Sequence, residues 1–518
     1  MKKRTICLAL LLSVTMLFSG CGKEQEGSIA QVTEGEGQVE EQSDNTEAEE
    51  SVLRDGEMTE LRIIFPGSNS APADLEGVEA AMNEILQQTT DATVNIDIYE
   101  WGNFEERTNL VLASGEEAAL VFTFNPQKVV NNNQAQPITD LIEEYAPDAL
   151  SAMKTAIDAS YVKGELYGVP TFKDAAQQAG LVCRKDLFEE SGMAVEDIKS
   201  WEDIGELLSK VKEKHPDMDM LCAAESNMNI GGVLKYCTVG TFDFINQDLG
   251  IGVYSDDETA TVVNVFETDE YKKLAELAYD WNKKGYFGTD ATTKTETRQE
   301  LIGAGNTFGY IGTIAPHTAA SMSRSINVEM ISIPVTEAVL PTSIVTGSQY
   351  VIPVACKTPE KALTLLNLLY GNKDMQNLMM YGLEGKDYVL ADAEKGIIKY
   401  PDGVDGKNVG WANEGWISGN SSISYVWDTD SETLWDDIRE FNEGASHSGI
   451  YGFTYDSSNS KNAMVALQNV VSKYRSVIES GYAEVDESLA KFNEELNSAG
   501  MKEVLEDAQK QIDAWKAN

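Results

Sequence analysis

The sequence predicts an α/β protein of more than one domain, and three observations carry that prediction. The chain has 518 residues, 42% of them apolar, enough for two or more separate cores. Strand-like and helix-like patterns alternate between Leu61 and Phe124, and a second alternating unit starts near Gly180. Such alternation predicts a largely parallel sheet covered by helices.

The elements follow in order. Lys2, Lys3 and Arg4 precede an apolar run from Ile6 to Phe18 that is too short for a membrane span, so residues 1–20 are an export signal and no part of the fold. Leu17-Phe18-Ser19-Gly20-Cys21 resembles the bacterial lipobox, with Phe18 where Leu is usual; the resemblance implies lipidation of Cys21 and attachment to the outer face of the cell membrane. Residues 21–60 hold 13 acids against Lys23 and Arg54, with little to bury, and are expected to be a disordered, self-repelling tether. Residues 61–65 (LRIIF) read as a buried strand closed by Pro66-Gly67, and 93–99 (TVNIDIY) and 119–124 as two more. Leu75, Val78, Met82, Ile85 and Leu86 recur at helical spacing between the first two, and a helix through 109–113 separates the last two. In the second unit, Leu181-Val182-Cys183, 307–311 and 328–333 read as strands, and Ser200 with Asp203 as a capping box opening a helix that Pro216 ends. Residues 362–369 form a strongly apolar helix. From about Asn408 the chain becomes rich in loops, with Trp411, Trp416, Trp427 and Trp435 close together, and two helices finish it.

Charge and motifs exclude several functions. The formal net charge of −45 rules out generic nucleic-acid binding, which needs a basic surface. Cys183, Cys222, Cys237 and Cys356 show no metal-type spacing, and sequence leaves Cys222 and Cys237 open to a disulfide or to two buried thiols. The three histidines, His215, His317 and His447, form no zinc motif; there is no G-x-S-x-G and no phosphate-binding loop. Asp428, Asp430 and Glu432 alternate as in a calcium loop, but Thr433 and Arg439 stand where Gly and Glu are needed. No metal, cofactor or catalytic residue is therefore expected. A glycosidase needs only two carboxylates, and so many acids are present that sequence alone does not exclude one.

The body resembles the extracellular solute-binding proteins of the oligosaccharide-binding family, the receptors of ABC importers. More narrowly, it is similar to long Firmicutes lipoproteins that end in a domain of unknown function. The resemblance rests on Leu61-Arg62-Ile63-Ile64-Phe65-Pro66-Gly67, Trp101-Gly102-Asn103-Phe104, Leu166-Tyr167-Gly168-Val169-Pro170, Ser200-Trp201-Glu202-Asp203, Phe441-Asn442, Gly452-Phe453 and the closing 509–515. It implies a two-lobed periplasmic-binding-protein-like fold with a hinge and an interlobe ligand cleft. The divisions it implies are 61–172 and 347–404 for the first lobe, and 173–346 and 405–518 for the second. Crossings would lie near 172–181 and 346–349, with a return near 401–408. The protein would be a monomer that binds an oligosaccharide or related sugar and hands it to ABC permease subunits.

Sugar binding needs flat apolar faces for the rings and polar groups for the hydroxyls. Residues at strand ends and on the aromatic loop supply candidates: Trp101, Phe124, Asn125, Phe172, Tyr310, Thr313, Trp411, Trp416 and Trp427. Trp201, Trp281, Trp435 and Trp515 sit in helical patterns and read as core, and His317 as a helix start. Arg184 or Lys173 would be needed to offset a strongly anionic ligand. The rival functions are a surface glycosidase, and a sensor or peptide receptor on the same fold.

Overall fold

The computed structural model describes residues 53–157, 160–162, 164–172, 174–222, 234–288 and 296–517. The expected export signal, Cys21, most of the expected tether and Lys173 lie outside the described residues.

The first sheet begins with β1 (Thr59–Gly67), β2 (Ala92–Glu100), β3 (Leu120–Thr123) and β4 (Gly168–Pro170). Leu61, Ile63, Ile64 and Phe65 are all buried, the pattern of a strand covered on both faces. β1 runs parallel to β2 and β3, and helices Leu75–Leu86 and Phe104–Ser114 fill the connections. Pro66 and Gly67 continue β1 instead of closing it, opposite Tyr99 and Glu100. A Cβ on Gly67 would stand 2.6 Å from Ile98 Cγ2, so the close approach requires glycine.

Residues 53–60, expected in the tether, are folded onto this sheet. The cause is Lys361 on helix Pro359–Gly371, only 1% exposed. Its ammonium bonds Asp55 Oδ1 and the Glu57 carbonyl, each at 3.0 Å, and also Thr59 Oγ1 and the Asp91 carbonyl. A buried ammonium must collect acceptors, and three of these four come from this segment.

The chain then enters a second sheet of β5 (Gln178–Arg184), β6 (Asp219–Leu221), β7 (Thr307–Ile314) and β8 (Met330–Pro334), in the order β8-β5-β7-β6. β5 is antiparallel to both its neighbours, so this sheet is mixed. β7 and β8 run the same way across helix Thr318–Ile326, as a strand-helix-strand unit requires, but β5 lies between them. Ser200 Oγ accepts from Asp203 N–H at 3.2 Å and opens helix Trp201–Lys214 as expected, but the Asp203 carboxylate accepts from Lys199 N–H, one residue short of the return bond of a capping box. β9 (Gln349–Val351) returns to the first sheet, antiparallel to β3 and β4, completing the order β2-β1-β3-β9-β4.

The end of the chain carries three helices, Lys461–Glu479, Val485–Ser498 and Met501–Lys516, where the sequence reading expected two. The middle one buries Val485, Leu489, Phe492 and Leu496 on one face. These helices share a core with the hairpin Phe242–Asn246/Ile251–Tyr254, and the Phe266 and Phe492 rings lie 4.8 Å apart. Arg475 is buried there, 2.7 Å from Glu479 and 2.7 Å from the Gln247 carbonyl.

Three segments join the two lobes side by side. Gln177 N–H donates to the Val339 carbonyl at 2.7 Å, and Leu340 N–H to the Ser446 carbonyl at 2.7 Å. Ser446 therefore marks the return to the second lobe, not 401–408. Before it, Trp411 and Ile417 pack in the first core; after it, Ile450 and Phe453 pack with Val253. Asp243 of the second lobe accepts from Thr342 N–H at 3.1 Å and Ser448 Oγ at 2.6 Å, fastening two of the three segments.

All four described cysteines are buried and none forms a disulfide; Cys222 and Cys237 lie in different cores. Among the described residues no helix is long and apolar enough to cross a membrane, and no group of His, Cys, Asp and Glu is placed to hold a metal.

Candidate functional site

Parallel strands leave a crevice beyond their carboxyl ends, where successive strands release the chain toward one edge. β2 releases Trp101 there, and β3 releases Phe124 and Asn125. Trp101 is half-buried and stacks on Trp416, with centroids 5.7 Å apart and planes 23° apart. Phe124 lies 6.3 Å from Trp101 and 6.0 Å from Trp416, and is 37% exposed. Phe104 and Phe122 support it edge-on at 5.9 and 5.2 Å. Three of the expected residues thus form one aromatic platform on the first lobe, although Trp416 is more than 290 residues from Phe124 in the chain.

A cavity opens on each side of this platform. One, of about 220 Å³, lies between Phe124, Asn125 and Tyr161 on the first lobe and Asn246, Phe453 and Tyr455 on the second. Asn125 lines it while capping helix Pro126–Asn131, accepting from Lys128 N–H at 2.9 Å. The other, of about 160 Å³, lies between Trp416, Glu414 and Trp427 on one side and His317, Ser321 and Arg324 of the second lobe on the other. Trp427 packs 4.5 Å from Tyr400 and 5.5 Å from Tyr381. Arg324 crosses the cleft to Asp430 at 2.8 Å and Thr429 Oγ1 at 2.7 Å. Burial pushes the Asp430 carboxyl above its ordinary value, against the pull of Arg324. The Glu414 carboxyl, on a solvent-facing residue set in the wall of the cavity, is also raised by desolvation, although the Trp416 side chain hydrogen-bonds it.

The remaining expected residues lie elsewhere. Trp411 is core, 2% exposed, its indole N–H donating to the Met379 carbonyl at 3.1 Å. Tyr310 is buried in a second-lobe core with the Arg298 guanidinium 4.4 Å over its ring. Thr313 is half-buried and pairs with Ala179 in the ladder between β5 and β7. Neither lines either of the two cavities beside the platform. Phe172 sits on the first crossing, bridged to Asn420. It lines a larger, mostly apolar cavity of about 580 Å³ with Leu340, Ile344 and Tyr451. That cavity is walled by the crossing segments and also lined by Arg439, Asn442, Glu443 and His447, but it lacks the stacked platform of Trp101, Phe124 and Trp416. Arg184 is held bidentately by Asp186.

Sequence reasoning missed Tyr161, Glu414, Asp430 and Trp435 as site residues. Trp435 lines the smaller cavity while donating to the Ser424 carbonyl at 3.0 Å. Trp515, expected in the core, is 40% exposed and edges onto Phe453 at 5.7 Å. His317 opens helix Thr318–Ile326 as expected, yet also faces the cleft.

Known proteins agree with this architecture. Residues 72–376 match the family described as bacterial extracellular solute-binding proteins, and 449–517 match a domain of unknown function, DUF3502. The second match begins three residues after Ser446. A carbohydrate ABC transporter substrate-binding protein of Streptococcus pneumoniae serotype 4 is 24% identical over 465 residues, covering 86% of this chain and 89% of that protein. The crystal structure of the N-glycan transport solute-binding protein NgtS from Streptococcus pneumoniae superposes with a TM-score of 0.80 at 22% identity, covering 89% of this chain and 99% of the other. Its complex with Man5GlcNAc gives 0.71 at 22% identity, covering 88% and 98%. With two lobes, three crossings, a cleft between them and the family match over most of its length, the chain belongs to the bacterial extracellular solute-binding proteins.

Proposed function

We propose that this solute-binding protein captures an oligosaccharide in the cleft and delivers it intact to ABC permease subunits, performing no chemistry on it. The observation that carries the reading is the platform of Trp101, Phe124 and Trp416, open to cavities on both sides and faced by carboxylates and amides. Flat rings bury the C–H faces of sugars, and acceptors around them take the hydroxyls. NgtS, whose complex contains Man5GlcNAc, has the same fold. Lobe closure about the three crossings would sequester the ligand and signal occupancy. We further propose that Cys21 is lipidated, which places the body on the outer face of the membrane at the end of an acidic spacer.

The test is calorimetric titration with neutral oligosaccharides and, separately, short peptides. Saturable binding of an oligosaccharide that is recovered uncleaved is expected, and a Cys21→Ala variant should leave the membrane fraction. Binding of peptides alone, or cleavage of the glycan, would overturn the reading.

A further inference from the structure

The smaller cavity has a chemistry of its own. Its room, about 160 Å³, suits one sugar ring and not a chain. Trp416, Trp427 and Trp435 wall it. Its charged side chains are Asp174, Glu414 and Asp430 against Arg324, the one arginine or lysine among the described residues lining it. Arg324 is already committed, bonded to Asp430 Oδ2 and Thr429 and lying 5.4 Å from the Trp427 ring centroid. Two buried polar atoms on the cavity's residues have no hydrogen-bond partner: His317 Nδ1 and Asp430 Oδ1. The Asp430 side chain is only 3% exposed, so its second carboxylate oxygen is held in the cavity wall without a partner of its own.

We propose, resting on the sugar-binding reading above, that this cavity is the subsite for the terminal ring of the ligand, and that it takes a neutral pyranose and rejects a ring bearing a carboxylate. A neutral ring brings hydroxyl donors to Asp430 Oδ1 and Glu414 and offers a hydroxyl to His317 Nδ1, while its apolar face lies on the indoles. A uronic or sialic acid ring would bring a further anion beside Asp174, Glu414 and Asp430, with no uncommitted lysine or arginine among the described residues lining the cavity. The subsite is thus the point at which the protein tells neutral from acidic glycans.

The test uses two oligosaccharides of one backbone that differ only in the terminal ring, a hexose or the corresponding uronic acid, titrated against the protein and two variants. The wild type is expected to bind the neutral-ended ligand at least tenfold more tightly. Asp430→Asn releases Arg324 and should tighten binding of the acid-ended ligand about tenfold, a gain that simple damage to the fold does not produce. Glu414→Gln, which leaves the Arg324 pair intact, should narrow the ratio in the same direction. Equal or preferential binding of the acid-ended ligand by the wild type would overturn the proposal, as would an unchanged ratio in both variants. If neither glycan binds the wild type while peptides do, the sugar-binding reading itself fails, and the subsite with it.

Discussion

Trp411 and Trp416 are five residues apart in a stretch of similar composition, and their environments are opposite. Trp411 is enclosed, with its backbone N–H on Asp387 Oδ1 at 2.9 Å and its indole on the Met379 carbonyl. Trp416 is half-buried and stacked at the mouth of the cleft. Trp411→Ala should lower stability by about 3–5 kcal/mol, the range for emptying a large aromatic site in a core. Trp416→Ala should lower ligand affinity roughly tenfold, or about 1.4 kcal/mol, with a smaller effect on unfolding. Chemical denaturation and calorimetry on the two variants separate these outcomes. Sequence shows that the segment is aromatic but not which ring faces the cleft, because the 3₁₀ turn Gly415–Ile417 sets that direction and has no hydrophobic period to reveal it. Trp101 and Phe124 were legible for the opposite reason: Trp101 directly follows a strand that alternates plainly, and Phe124 one that is a short continuous apolar run.

Among elements, the crossings are where local signals run out. The pairs Gln177–Val339 and Val339–Ser446 join residues far apart in sequence, so nothing near Ser446 marks it as a hinge. The helix Val485–Ser498 is a different kind of omission: its apolar residues are spaced by four, three and four, a pattern that was readable. The first-lobe strands and helices were readable because each buries a continuous run or one clear face. At the hinge, Asp243 holds Thr342 and Ser448, and burial keeps its carboxyl above the ordinary 3.8 despite those hydrogen bonds. A raised pKa means that the folded protein holds this proton more tightly than the unfolded chain does. Its contribution to stability therefore falls as pH rises from 3.8 through the folded value. Asp243→Asn keeps an acceptor for Thr342 and removes the charge, so its unfolding free energy should lack that downward slope. Denaturant titrations of both proteins across acidic pH check this, and parallel slopes would refute it.

Over the whole molecule, the net charge of −45 keeps the body soluble and excludes nucleic acid, but it does not choose a ligand. In the proposed reading the choice is made in the cleft, where aromatic faces from the first lobe meet acceptors and one paired arginine contributed from both sides. The C-terminal helices, matched as a domain of unknown function, share one core with the second lobe's hairpin and so belong to that lobe's fold, with Arg475 and Glu479 buried at the join. Closure, as proposed, would move the lobe and these helices together about Gln177, Val339 and Ser446. The most direct measurement of the central claim is a crystal structure of the protein with a bound neutral oligosaccharide. The account predicts sugar rings lying on Trp101 and Trp416, a terminal ring within hydrogen-bond distance of Asp430, and lobes closed over both. A ligand seated instead in the cavity by Phe172 and Tyr451, with the platform empty, would contradict it.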